Sequence, residues 1–426
     1  MGCEPRGPWD PAMNAVVEHR PVILAIFVLT YVGMAAGRVP GLKLNRTGIA
    51  LLGAIAMTIV SGSSSTQAAE CVNWPTILLL FGFFVLSAQL RLSGFYGWIA
   101  DWISERLDAP SRFLAFIIVA TAVLSAFLNN DIVCYVLTPV VGAALVRKGR
   151  DPVPCLVALA VSSNFGAAAT LIGNAQNILI GEVAGLSFAR YMLWSFVPVA
   201  FGLAVIYGLM ELRSGSVKPV QARRPAPAPA HPYPFNRAHV TKGLVVLGAV
   251  IALFFTPLPK EIVVLLAAGI HLASKKFRTE SLLSLIDWQI LVLFTSLFVV
   301  SGTFQRTGYG EEIVRWLGGM GFNPTRPDYL VAITSALTVL INNAPAVMLL
   351  LKIVPMAHPS TGFIMAVANS FAGSFVMTAG VSNLIVVQQA KQQGITISFR
   401  DFARISFPIT LIALGGLVAW AELMGP

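Results

Sequence analysis

The chain has 426 residues, of which 56% are hydrophobic and only 11% charged, and its formal net charge is +10. A soluble domain carries about 25% charged residues, so this composition predicts a polytopic membrane protein. The basic residues sit in short segments between apolar runs, with no cationic face interleaved with aromatics, which excludes nucleic-acid binding.

The N-terminal stretch MGCEPRGPWD has no basic region ahead of an apolar run, and Arg6 breaks the myristoylation pattern. Residues 1–20 are therefore expected to form a tail, and the run at 21–37 a retained span. Further apolar runs lie at 47–63, 75–91, 112–146, 153–188 and 190–212. A Pro-, Ala- and Arg-rich stretch from Arg213 to His239 follows and reads as an extended soluble linker, placed at 213–240. Apolar runs resume at 241–257, 261–274, 288–304, 328–356, 360–390 and 404–422. The period-2 alternation of a membrane barrel is absent, so the expected fold is all-α.

The two sides of the linker resemble each other. Trp74, Ser87 and Gly94 align with Trp288, Ser301 and Gly308 at one constant offset. Asn129-Asn130 then meets Asn342-Asn343, Phe165 meets Phe371, and Asn177 meets Asn383. One order of matching features points to an internal repeat, 21–212 and 241–426. The runs at 112–146 and 328–356 each carry an amide-rich triplet at their middle, which predicts re-entrant hairpins with the triplet at the tip. The runs at 153–188 and 360–390 carry the polar interruptions TLIGNAQN and TAGVSN, which predict broken helices. Five crossings per half make the second repeat inverted. Most basic residues then fall on one side, so the linker is expected in the cytoplasm and both termini, with the loops near Glu70 and Glu311, outside. The stretches 94–107 and 309–318 read as interfacial amphipathic helices.

Asp131 is a carboxylate near the middle of an apolar hairpin, and such an acid is a functional candidate. It reads as a proton carrier or as an acid bonded to helix ends. Asn129, Asn130, Asn342 and Asn343 offer both donors and acceptors beside free helix termini. They suit an ion or small polar solute, or plain capping of the turns. Thr170, Gly173, Asn174, Gln176 and Asn177 form the first helix break, and Thr378, Gly380, Ser382 and Asn383 the second. Glycine permits the unwinding, and the amides and hydroxyls ligate what enters. Ser162-Ser163-Asn164 and Asn369-Ser370 line the same cavity or pack helices together. Arg91, Arg306 and Lys352 sit near span ends, as snorkelling side chains do. The four cysteines form no CxxC or Cys/His cluster, so no structural metal site is expected. Cys134 reads as a packed thiol, with a soft-metalloid ligand as the alternative.

At these residues the chain resembles the ion transporter superfamily, in its arsenite-permease and sodium/proton-antiporter branch. The pattern NND-x-x-x-x-x-LTP at 129–139 resembles the arsenite-permease hairpin. SSNFGAAATLIGNAQNILIG at 162–181 and ANSFAGSFVMTAGVSNLIV at 368–386 resemble anion permeases of that group. The resemblance implies a scaffold plus a transport domain, two hairpins and two broken helices meeting at the site, and an elevator-type movement. It places the site at Asn129, Asn130, Asp131, Gly173, Asn174, Asn177, Asn342, Asn343, Gly380, Ser382 and Asn383. The Ser-Asn-Thr signatures of dicarboxylate symporters are missing from both tips, and Asn-Asn-Asp replaces the Asp-Asn pair of the antiporters.

The expectation is a secondary active permease in the cell (inner) membrane, without enzymatic activity or cofactor. It exports arsenite or antimonite in exchange for protons carried by Asp131. The alternatives are a sodium- or proton-coupled transporter of another small anion, and a sodium/proton antiporter. The resemblance leaves room for a homodimer and for a separate ATPase subunit.

Overall fold

A computed structural model describes residues 18–36, 43–104, 110–214, 233–273, 276–309, 326–356 and 358–424, together with 312, 315, 319 and 323. The expectations for the first part of the N-terminal tail, most of the linker, residues 105–107, Glu311 and most of 309–318 lie outside these. The described residues fold as helices without strands, as lipid-solvated backbone requires. In the first half they are α1 (Arg20–Ala36), α2 (Arg46–Val60), α3 (Ser65–Glu70), α4 (Trp74–Leu92), α5 (Phe95–Ser104), α6 (Pro110–Phe127), α7 (Asn130–Arg147), α8 (Val153–Ala167), α9 (Ala175–Val183) and α10 (Phe188–Ser214). After the linker come α11 (Arg237–Leu253), α12 (Lys260–Leu272), α13 (Thr279–Leu283), α14 (Trp288–Arg306), α15 (Pro327–Ile341), α16 (Asn343–Ile353), α17 (Pro359–Ala372), α18 (Val381–Gln392) and α19 (Phe399–Met424). By length and composition α4, α7, α10, α14 and α19 are long and apolar enough to cross a membrane.

The 112–146 run is a helix–turn–helix, α6 and α7, turning at Leu128-Asn129, and the 328–356 run is α15 and α16, turning at Asn342. The 153–188 run breaks between α8 and α9, and the 360–390 run between α17 and α18. Both hairpins and both breaks therefore sit where the polar interruptions predicted them. The expected helix at 94–107 is present as α5, which packs on α7 and exposes Trp98 and Trp102.

Packing follows the repeat. The α6–α8 contact has its counterpart in α15–α17, α2–α14 in α12–α4, α7–α18 in α16–α9, and α8–α10 in α17–α19. At the centre Phe165 and its aligned partner Phe371 stack with ring centroids 4.0 Å apart and planes at 24°. Gly166 makes the α6–α8 approach possible: a Cβ there would lie 2.3 Å from the Ala122 backbone.

Candidate functional site

The breaks are held open by their own downstream asparagines. Asn177 Nδ2 donates to the carbonyls of Ala167 (3.1 Å), the last residue of α8, and Thr170 (3.0 Å), in the break itself. Asn383 Nδ2 does the same for Gly373 (2.7 Å) and Val376 (3.2 Å). Each Oδ1 is then engaged from the other half of the chain. Ser370 Oγ donates to Asn177 at 3.3 Å, and Asn164 Nδ2 donates to Asn383 at 3.0 Å. Asn164 and Ser370 are aligned residues of α8 and α17, so each downstream asparagine is met by the aligned residue of the other half.

The hairpin tips join this lattice from outside. Asn130 Nδ2 donates to Asn164 Oδ1 at 3.2 Å, and Ser163 Oγ donates to the Asn130 carbonyl at 3.2 Å. In the second half Asn369 Nδ2 donates to the Asn343 carbonyl at 3.3 Å and to Thr338 Oγ1 at 2.8 Å. Ser125, which aligns with Thr338, lies 3.0 Å from Ser163 Oγ. Thr170 Oγ1 donates to the Ala126 carbonyl, tying the first break to the first hairpin. Asn342 Nδ2 donates to the Thr378 carbonyl at 3.3 Å, tying the second break to the second hairpin.

Asn164 is the junction. Besides Asn130 and Asn383 it bonds Ser374 Oγ (3.0 Å) and Ser382 Oγ (2.7 Å). Asn174 reaches Ser370 Oγ at 3.0 Å while its Oδ1 caps α9 at Asn177 N, 2.8 Å. Gly173 is needed where it stands, because a Cβ would lie 2.3 Å from the Ala167 carbonyl oxygen. At Gly380 a Cβ would lie 2.9 Å from the Gly373 carbonyl oxygen.

The two tips differ in access. Asn342, Asn343 and Ala344 are buried, and Asn342 holds φ 75°, a conformation that non-glycine residues rarely adopt. Asn129 has φ −58° and caps α7 by accepting from Asp131 N at 2.9 Å. Asn129 and Asp131 are only partly buried and line a cavity of about 590 Å³. Its wall also includes Arg91 and Phe84 of α4, Tyr135 of α7, Ile385 of α18 and the segment Ser284–Gln289. A smaller cavity of about 20 Å³ shares Phe84 and Asn129 with it and reaches Ile172 and Asn174. Thr378 of the second break is exposed, while the first break is almost wholly buried. One face of the site is open and its counterpart is packed shut.

The lattice unites Asn130, Thr170, Asn174, Asn177, Asn342, Asn343, Ser382 and Asn383 with Asn164, Asn369 and Ser370, and Asp131 stands beside it on the open cavity. Gln176 is partly exposed. Arg91 is more than a snorkelling side chain: its guanidinium lies 4.9 Å from the centre of the Tyr135 ring, on the cavity wall. Sequence reasoning did not single out Tyr135, Asp287, Ser125, Thr338, Ser374 or Tyr191, whose OH donates to the Ala168 carbonyl at 2.7 Å. The constant offset between the hairpins carries Ser125 onto Thr338 and was a usable signal for that pair. Among the described residues no His/Cys/Asp/Glu group has the spacing of a metal site. The lattice is built of neutral amides and hydroxyls bonded to one another.

Comparison with known proteins agrees with this architecture. The family described as "Citrate transporter" matches residues 25–367. An uncharacterized transporter of Mycobacterium tuberculosis is 28% identical over 426 residues, covering 94% of this chain and 97% of its own. The inner membrane protein YbiR of Escherichia coli is 26% identical over 369 residues, covering 83% and 87%. A putative transporter arsB of Dictyostelium discoideum is 28% identical over 184 residues, 43% of this chain and 32% of its own. The YdaH transporter of Alcanivorax borkumensis shares the fold, with a TM-score of 0.59 at 15% identity over 96% and 98% of the two chains. The chain belongs to the citrate transporter family of membrane transporters.

Proposed function

We propose that the protein is a secondary active transporter that exports arsenite or antimonite in exchange for protons, with Asp131 as the proton carrier. The observation that carries this reading is the site's chemistry: a neutral lattice of amides and hydroxyls centred on Asn164, with Asp131 beside it on the open cavity. Arsenous acid is neutral near pH 7 and needs donors and acceptors rather than a cationic pocket. The similarity of part of the chain to a putative transporter arsB supports the same reading.

In this reading α1–α4 and α11–α14 form the scaffold, and the hairpins with the broken helices form the transport domain. The cavity lies along that boundary, with Arg91 and Asp287 on one side and Asp131 and Tyr135 on the other. Moving the transport domain would close this mouth and open the buried one, which is alternating access by an elevator step. Asp131 carries its proton inward without solute, and after releasing it returns outward only with solute bound, so that proton and solute move in opposite directions.

A second reading is a small anion moved with protons or sodium. It is favoured by Arg91 in the cavity wall and by the α18 N-terminus, where Gly380 provides no side-chain cap. The family's description points the same way. Uptake into everted vesicles under an imposed proton gradient separates the two. Arsenite accumulation under an acid-inside gradient supports the first reading, whereas accumulation of a carboxylate probe such as citrate under the opposite, acid-outside gradient, without arsenite uptake, replaces it with the second.

A further inference from the structure

On the face opposite the open cavity, two lysines bond across the boundary between the scaffold and the hairpins and broken helices. α14 starts at Trp288 on the cavity wall, so Gln305, at its other end, marks the packed face. There Lys352 Nζ of α16 donates to Gln305 Oε1 at 2.8 Å. α12 runs in the same direction as α4: Lys260 shares a small cavity with Leu79, and a Cβ on Gly82 would lie 2.3 Å from Val264. Arg91, near the end of α4, lies on the open cavity, so Lys260, at the start of α12, stands toward the packed face. Lys260 Nζ donates to the Leu186 carbonyl at 3.0 Å. Leu186 follows α9 and seats on Gly362 of α17, where a Cβ would lie 3.0 Å from its Cδ1.

Lys260 is the informative member. It is the first residue of α12, where a cation opposes the helix dipole, so its charge does not serve its own helix. The offset that carries Trp74 onto Trp288 carries Arg46 onto Lys260. Arg46 opens α2 in the same way, but its Nε donates to the Met34 carbonyl of α1 at 3.2 Å and stays within the scaffold. Lys352 aligns with Pro139, which carries no charge. Gln305 aligns with Arg91, which meets α7 through the Tyr135 ring at 4.9 Å. The aligned positions on the open face therefore lack the lysine hydrogen bonds of the packed face. Beside Lys260 the same boundary is filled by Phe188, edge-on to Phe254 at 5.5 Å and to Phe255 at 5.4 Å. Apolar rings can slide past one another, whereas an ammonium bonded to one carbonyl fixes a single register.

We propose that Lys260 and Lys352 are latches: they hold the transport domain in the position seen here, with the cavity open, and both let go each time the packed face opens. The inference rests on the reading of the hairpins and broken helices as a domain that moves against the scaffold. Only a contact made in one state and lost in the other shifts the balance between them, and these two bonds join parts that the movement separates. The Lys260 latch also bears on the site. α9 is nine residues long, about 14 Å, and carries Asn177 in its first turn and the latched loop at its far end. Holding Leu186 thus holds the half-helix that carries Asn177.

The test is substrate-free and uses the full chain in lipid nanodiscs, which leave both faces accessible. Phe188→Cys reports the packed face, with Phe254→Cys as a second reporter from the scaffold side, and Ile385→Cys reports the open cavity. A charged methanethiosulfonate labels the thiols, and mass spectrometry of each peptide gives its rate. Lys260→Met and Lys352→Met keep the apolar stem and remove the donor. Each is expected to speed labelling at 188 and 254 by about threefold or more, and the pair together by more than either alone. Labelling at 385 is expected not to rise. A rise at all three reporters is general loosening and overturns the inference. Equal rates at 188 and 254 with and without the lysines overturn the latches and leave a moving domain. No labelling at 188 or 254 in any variant while the protein stays folded overturns the moving-domain reading and the inference with it.

Discussion

Replacing Asn164 by Ala tests whether the lattice holds the two halves together. The side chain makes four hydrogen bonds, to Asn130, Ser374, Ser382 and Asn383, so it ties the first hairpin to the second helix break. Side-chain bonds between membrane helices average about 0.6 kcal/mol each, which gives about 2.5 kcal/mol for four. Stranding the buried donors and acceptors of four partners raises this to about 4 kcal/mol. For a chain of this size that corresponds to a fall of about 5 °C or more in the melting temperature in detergent. Ser162→Ala is the matched control: its hydroxyl donates to Ala158 of its own helix at 2.7 Å, so its loss should change stability by less than about 1 kcal/mol. Fluorescence-monitored thermal unfolding reads both. Equal melting temperatures for Asn164→Ala and Ser162→Ala would refute the cross-half lattice.

Asn177→Ala and Asn383→Ala should lower the melting temperature to a similar extent, because each loses two carbonyl contacts and one contact across the halves; a large loss in one alone would break the pseudo-symmetry. Gly166→Ala should destabilise by about 2 kcal/mol in the same assay by forcing α6 from α8. Gly208→Ala, with nothing within 4 Å of the added methyl, should not. A cysteine replacing exposed Ser284 at the cavity mouth should react with an impermeant maleimide from the cytoplasmic side only; reaction from outside would invert the orientation expected from the basic residues.

The hairpins and breaks were legible because amides and glycines inside apolar runs have few uses at membrane depth. Asn129, Asn130, Asn342 and Asn343 marked the two turns, and Asn177 and Asn383 marked the breaks. The function of those last two as clamps on the carbonyls of the preceding half-helix was not legible, because it depends on how far each helix unwinds. Asp131 stood out as a charge in an apolar run. Asp287 and Arg91 did not, because a polar residue at a helix end has an ordinary explanation in capping or snorkelling. Only the cavity brings them to the same space as Asp131. The asymmetry of the two mouths was equally hidden, since the aligned triplets suggest equal tips while packing buries one and opens the other.

Proton coupling through Asp131 is tested most directly by arsenite uptake into everted vesicles, with and without an imposed proton gradient, for wild type and Asp131→Asn at matched expression. Gradient-driven uptake in wild type that disappears in Asp131→Asn is the predicted result. Gradient-driven uptake that persists in Asp131→Asn would contradict it and move the proton to another carrier.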